Sequence, residues 1–251
     1  MNKPFFSRST LVIALSFALC STTATVAMAD SQVSSSSKLE ISKQLLRTKL
    51  AKLNFFSANF MQKVVSETGE LLEQSSGKLA ISKPNLANWH TLEPDELAIV
   101  SDGNDVWFYN PWIEQVSVYS LSAAIAKTPI LLLTSKDESL WQQYTVTQEN
   151  IPLENAVKEN ASQMIEANSI DSSFIISAID PNSQIKSLTL NFSTASEDKP
   201  ISELSKFSFL DATGQVSHIE LSNFDAHKVP DSSLFNFSVP EGVQIDDQRA
   251  N

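Results

Sequence analysis

The apolar positions change their spacing several times along the chain, and each change predicts an element. Leu39, Leu46, Leu50 and Leu53 recur at i, i+7, i+11 and i+14, one stripe of an amphipathic helix over about Leu39 to Leu53. Lys43, Arg47, Lys49 and Lys52 are read as belonging largely to its other sides, and Ser31 to Lys38 before it as a disordered Ser-rich leader. The period then falls to two, with Phe56, Ala58 and Phe60 on one face of a strand and Leu79 and Ile81 alternating with Lys78 and Ser82. Leu97 to Val100 is apolar on both faces, which predicts a strand covered on both sides. Asp102-Gly103 with Asn104 reads as a hairpin turn into a strand over Asp105 to Tyr109, and a short strand follows near Gln115 to Tyr119.

Leu121 to Leu133 breaks the pattern. It is rich in Ala and Leu, carries one charge (Lys127) and is interrupted by Pro129, so it reads as two short helices with a joint at Thr128-Pro129. Strands resume near Tyr144 to Gln148, Phe174 to Ile179, Ile185 to Phe192, Leu204 to Leu210 and Val216 to Asn223, with a turn at Asp211 to Gly214. Leu153 to Ala167 has helical character, and Phe235, Phe237 and Val239 share one face of an extended tail. About eleven short strands joined by tight turns, with no alternation of strand and helix, imply an antiparallel meander rather than a doubly wound sheet. The predicted fold is mainly β: a large curved sheet with helices on its concave face. By spacing alone, that face is either filled by its own side chains or leaves room for a ligand.

The N-terminus changes the totals. Lys3 and Arg8 precede an apolar run, Leu11 to Leu19, and Ala27-Met28-Ala29 follows. This is the layout of a secretory signal peptide over residues 1–29, cleaved before Asp30. The run is too short to span a bilayer. Cys20 follows Leu19 rather than a small residue, so a lipoprotein signal is not expected. The remaining 30–251 is read as a single domain of 222 residues. Loss of Lys3 and Arg8 takes the net charge from -11 to -13, and loss of Cys20, the single cysteine, leaves no thiol. So acidic a body disfavours nucleic acid and anionic membrane surfaces as partners.

Chemical motifs are nearly absent. No Gly-x-Ser-x-Gly, phosphate-binding loop or dinucleotide fingerprint occurs. His90, His218 and His227 show no metal-ligand spacing, Asp102, Asn104 and Asp105 read as a turn rather than a calcium loop, and Asp246-Asp247 as a solvated tail. No enzyme activity, cofactor or metal is expected.

One long stretch nevertheless has a familiar order. It runs through Phe60-x-Gln62-Lys63-Val64, Lys83-Pro84-Asn85-Leu86-Ala87-Asn88-Trp89-His90, Pro94-Asp95-Glu96 and Val100-Ser101-Asp102-Gly103. Trp107-Phe108-Tyr109-Asn110-Pro111, Glu114-Gln115, Thr128-Pro129, Trp141-Gln142-Gln143-Tyr144 and Gly242-Val243-x-x-Asp246-Asp247-Gln248-Arg249 continue it. Together these blocks resemble the LolA family of periplasmic outer-membrane lipoprotein carriers. The resemblance implies an incomplete antiparallel β-barrel of about eleven strands under a helical lid, built from the early helix and Leu121 to Leu133. It implies a monomeric periplasmic chaperone that accepts outer-membrane lipoproteins from an inner-membrane ABC transporter complex. Their acyl chains would be shielded in a hydrophobic cavity until delivery to an outer-membrane lipoprotein receptor. The alternative on the same half-barrel is a periplasmic glycolipid-binding or lipid-sensing protein. Cavity and lid candidates are Leu46, Leu50, Phe60, Leu86, Trp89, Val100, Trp107, Tyr109, Leu121, Ile125, Pro129 and Leu132. The family usually places Arg where Lys83 stands, a residue associated with holding the lid closed, so Lys83 is the latch candidate. It often has Phe where Ala87 stands. The stretch near Leu153 to Ser172 looks longer than the family's and has no assigned role.

Overall fold

A computed structural model describes residues 26–125, 128–135, 138–149, 172–193 and 203–249. The chain divides into two compact units, Met1–Ser36 and Ser37–Asn251. Residues 26–36 of the first are helical, the opening of α1 (Val26–Lys52). The helix therefore begins well before Leu39, and Ser31 to Lys38 is not a disordered leader. Helix formation is costly to nucleate but gains one hydrogen bond for each further residue. The Ala, Met and Gln residues upstream extend a helix already held by its leucines. Lys49 and Lys52 in the last turn complement the partial negative charge of the C-terminus.

Among the described residues the second unit holds one sheet of twelve strands. After α1 come β1 (Phe55–Val65), β2 (Leu71–Ser82), β3 (Leu86–Glu93), β4 (Leu97–Asp102), β5 (Asp105–Asn110) and β6 (Gln115–Ser120). The short helix α2 (Leu121–Ile125), a 3-10 helix (Pro129–Thr134) and α3 (Glu138–Trp141) interrupt the strands at midchain. Then follow β7 (Tyr144–Glu149), β8 (Ser172–Ala178), β9 (Ile185–Phe192), β10 (Leu204–Asp211), β11 (Val216–Asp225), a 3-10 turn (Ser232–Phe235) and β12 (Gln244–Asp247). The order across the sheet is β12-β6-β5-β4-β3-β2-β1-β11-β10-β9-β8-β7. Its edges, β12 and β7, do not pair with each other, so the barrel is open. Among the described residues no helix is long and apolar enough to cross a membrane.

Local chemistry sets the turns. Gly103 takes φ +101 between β4 and β5, and the Asp102 carboxylate accepts the backbone N–H groups of Asn104 and Asp105, each at 2.9 Å. Burial alone would raise the Asp102 carboxyl, but those N–H groups hold it below the usual carboxylate range. Asp211 closes the β10–β11 turn in the same way, accepting from Thr213 and Gln215.

Several expectations change. Asp246-Asp247 is not a solvated tail but part of β12, which pairs parallel with β6 in register Ile245↔Val116 and Asp246↔Ser117. Phe235, Phe237 and Val239 do share one covered side, alternating with exposed Asn236 and Ser238, but on a segment that is not a strand: Phe235 ends a 3-10 turn and is buried. Both changes have one cause. The segment after β11 crosses the outer face of β3–β5, where Asn88 Nδ2 donates to the Leu234 carbonyl at 2.6 Å and Phe237 stacks on Trp107 with ring centroids 5.6 Å apart. It then meets β6 at the end where β6 begins, with Gln244 N–H donating to the Glu114 carbonyl, so it can only add in parallel. Third, β4 is less covered than its run of apolar residues implies: Leu97, Ala98 and Ile99 are half-buried. The motif Leu86 to His90, to which the spacing assigned no element, lies in strand β3. The helical stretch Leu153 to Ala167 lies outside the described residues.

Candidate functional site

Cross-strand partners point to the same side of a sheet, so the registers decide which residues face the lid. Leu79 pairs with Trp89 and Trp89 with Ile99, and Phe207 pairs with both Ile219 and Leu190. These side chains form one apolar inner face. The Phe60 and Trp89 rings lie 4.0 Å apart, and Phe207 meets Trp89 edge-on at 6.2 Å. Close packing here depends on Gly77: a Cβ on it would sit 2.0 Å from the His90 carbonyl oxygen and 2.8 Å from the Phe60 ring.

The lid packs onto this face from two places in the chain. Leu46 and Leu50 of α1, Leu53 just after it, Ala124 and Ile125 of α2, and Ile130 to Leu133 of the 3-10 helix belong to the same buried cluster as Phe60, Trp89 and Phe207. The predicted leucine stripe is thus the face that α1 buries, although Leu39 lies only partly within it. Lys49 departs from expectation. It is 8% exposed rather than solvated, because it follows Ser42 and Leu46 by seven and three residues and so shares their face. Its four-carbon stem can lie along apolar surface.

The turn between β2 and β3 joins the sheet to both parts of the lid. Lys83 N–H donates to the Asn54 carbonyl at 2.8 Å, and Lys83 Nζ donates to the Leu50 carbonyl at 2.5 Å, at the C-terminal turn of α1. Helix C-termini leave carbonyls without intrahelical partners, and a cation is well placed to serve them. Two residues on, Asn85 N–H donates to the Thr134 carbonyl at 3.3 Å, at the end of the 3-10 helix. Asn85 adopts a left-handed φ of 64°, and its own carbonyl accepts the Ser101 hydroxyl at 2.6 Å. A cleft of about 220 Å³ beside this junction is bordered by Arg47, Leu50, Lys83, Leu133 and Trp141.

A larger cleft of about 590 Å³ opens between the inner face and the 3-10 helix. Trp89, Ile99, Ile130, Phe207 and Phe209 line its apolar depth, while Glu73, Asp95 and Glu96 stand at the mouth. His90 Nε2 lies 2.8 Å from Glu96 Oε1.

The predicted site residues therefore fall into two groups. Leu46, Leu50, Phe60, Trp89, Ile125 and Leu132 come together in the core, and Leu121 packs against it. Pro129 opens the 3-10 helix at the predicted joint. Leu86, Val100, Trp107 and Tyr109 do not join them. Val100 pairs with Trp107, and Trp107 with Val118, on the outer face beneath Phe237. Leu86 shares the parity of Asn88 on that side. The inward residues of β5 are instead Val106 and Phe108, the latter packed edge-on against Tyr119 at 5.4 Å. The prediction also missed the far wall: Phe174 and Ile176 of β8, Leu190 and Phe192 of β9, Leu204 and Phe207 of β10, and Ile219 of β11. Their signal was the period-two spacing within each strand. Ala87, where the resemblance suggested an aromatic, is inward and 3% exposed. Among the described residues no three His, Cys, Asp or Glu side chains gather as a metal site.

The chain is similar to known proteins over most of its length. The family model for outer membrane lipoprotein carrier protein LolA matches residues 51–174. An outer-membrane lipoprotein carrier protein of Psychromonas ingrahamii is 39% identical over 206 residues, covering 82% of this chain and 87% of its own. That of Serratia proteamaculans is 35% identical over 215 residues, covering 86% and 92%. Among solved structures, a LolA superfamily protein of Nitrosomonas europaea covers 78% of this chain at 11% identity and a TM-score of 0.43. With its open, mainly antiparallel sheet, its helices packed on the inner face and relatives of this identity over most of its length, the chain belongs to the LolA family of outer-membrane lipoprotein carriers.

Proposed function

We propose that this chain works in the periplasm, after loss of residues 1–29, as a monomeric chaperone for outer-membrane lipoproteins. It accepts them from an inner-membrane ABC transporter complex, shields their acyl chains against the inner face of the sheet and delivers them to an outer-membrane receptor. Burying a methylene is worth about 0.8 kcal/mol, so a single long acyl chain resists transfer into water by roughly 10 kcal/mol. A carrier must cover that chain and later release it.

The observation that carries this reading is that the lid leucines and the inner face share one core. Acyl chain and lid compete for the same surface, so the closed lid replaces lipid contacts with its own. Uptake then costs only the difference between two apolar burials, and release is helped by the lid returning. Lys83 would act as the latch, because its ammonium bonds α1 only where the helix end meets the β2–β3 turn.

The test is release of newly made lipoprotein from spheroplasts in the presence of purified protein. The reading predicts lipoprotein in the soluble fraction bound to this chain; lipoprotein remaining with the membrane contradicts it.

A further inference from the structure

One part of the inner face is not apolar. Lys49 Nζ lies 5.7 Å from the centroid of the Phe192 ring and has no hydrogen-bond partner among the described residues. Phe192 pairs across β8–β9 with Ser172, which is 4% exposed and whose hydroxyl also lacks a partner among the described residues. Phe192 meets Phe174 edge-on at 6.0 Å, and Phe174 pairs across β7–β8 with Gln148, whose Oε1 is buried without a partner among the described residues. The registers place Gln148, Ser172, Phe174 and Phe192 on one side of the sheet, the side that Lys49 covers.

Buried polar groups left without partners are costly, and a wall of Leu and Phe would serve an acyl tail without them. Their chemistry is complementary to something the tail alone does not offer. An ammonium provides up to three donors, a hydroxyl donates or accepts, and an amide oxygen accepts. The head of an acyl chain has the matching set: ester and amide carbonyl oxygens that accept, and an amide N–H that donates.

We propose that Lys49, Ser172 and Gln148 form a polar head site inside the cavity, which binds the ester and amide groups that join a lipoprotein's acyl chains to its terminal residue. This rests on the acyl-carrier reading above and adds to it a fixed depth for the cargo. Chains lie along the Phe and Leu wall while their carbonyls stop at Lys49. Burial, followed by the nearby charge of Lys52, pulls the Lys49 amine below the usual lysine range, as expected for an ammonium awaiting an acceptor.

The test compares binding of a tripalmitoyl-S-glycerylcysteine peptide, palmitate and the hydrocarbon dye diphenylhexatriene to the wild type and to Lys49→Met. The lipopeptide should bind about tenfold more weakly to the variant with dye binding unchanged, the effect of losing hydrogen bonds from a charged donor. A parallel loss for palmitate places the contact at the acyl carbonyl that both ligands share. Lys49→Arg should keep most of the affinity, and Ser172→Ala, which leaves the charge in place, should cost about threefold. Unchanged lipopeptide affinity in Lys49→Met overturns the proposal. So does equal loss of dye, which marks a packing role, and so does loss confined to palmitate, which marks a free-anion site. A wild type that takes up no lipopeptide at all overturns the carrier reading itself, a result separate from these.

Discussion

Lys83 Nζ donates to the carbonyl oxygen of Leu50 at 2.5 Å, across 33 positions of sequence. The bond ties the last turn of α1 to the turn between β2 and β3, and Asn85, two residues on, ties the same turn to the 3-10 helix. Both parts of the lid therefore meet the sheet within three residues.

Removing this donor should loosen the closed state. Lys83→Ala is expected to lower stability by about 1 kcal/mol, since the ammonium is a charged second donor, beside Leu53 N–H at 3.0 Å, to a carbonyl at the helix end. Urea denaturation measures it. Dye uptake by the cavity should rise at the same time, whereas Lys83→Arg should restore both values because its guanidinium keeps a charged donor at the site.

Gly77→Ala should destabilise more than any ordinary strand Gly→Ala change. The added methyl would stand 2.0 Å from a backbone carbonyl of β3, where no rotamer relieves it. A loss of about 2–3 kcal/mol is expected from such overpacking. A variant as stable as the wild type contradicts the close β2–β3 approach.

The two faces of the sheet should separate stability from binding. Trp107→Ala removes a ring stacked on Phe237 at the outer face, so unfolding should come about 3 kcal/mol sooner while lipid affinity stays unchanged. Phe207→Ala, on the cleft, should weaken both. Paired thermal melts and lipid titrations distinguish these patterns.

Much of this arrangement is legible in the sequence, and the failures are physical. The leucines of α1 and the apolar run around Pro129 mark the lid because a helix face at a core needs that spacing. Asp102-Gly103 and Asp211 to Gly214 mark turns because their side chains and φ values permit little else. The inward face of β5 is not legible. Val106, Trp107, Phe108 and Tyr109 are all apolar or aromatic, and period two cannot choose a side when both are covered. Only the path of residues 231–243 over the outer face settles which pair turns inward. Lys49 was misplaced because a charge was read as solvated, whereas its position on the Ser42–Leu46 face decides its burial. The parallel pairing of β12 depends on the same long crossing and has no local signal.

Acid should weaken the C-terminal clasp. Arg249 bonds Asp247 and, from Nη1, Asp105 at 2.8 Å, holding the Asp247 carboxyl at about 2 against the usual 3.8. A depressed carboxyl contributes stability above its unfolded value and loses it as pH falls through the folded one. The contribution is therefore full above about pH 4 and gone near pH 2. Arg249→Gln should be less stable than the wild type at neutral pH, with the gap closing over that window in pH-dependent melts.

The central claim is that the lid must leave the inner face for lipid to enter. Residues 30–251 contain no thiol, so cysteines introduced there react cleanly. Asn85→Cys and Ser135→Cys flank the Asn85–Thr134 hydrogen bond and can be joined by a short, cleavable bis-thiol crosslinker. Lipoprotein release from spheroplasts should fall at least tenfold in the crosslinked protein and return to the wild-type level once the linker is cut. Release that proceeds equally well with the linker intact contradicts the account.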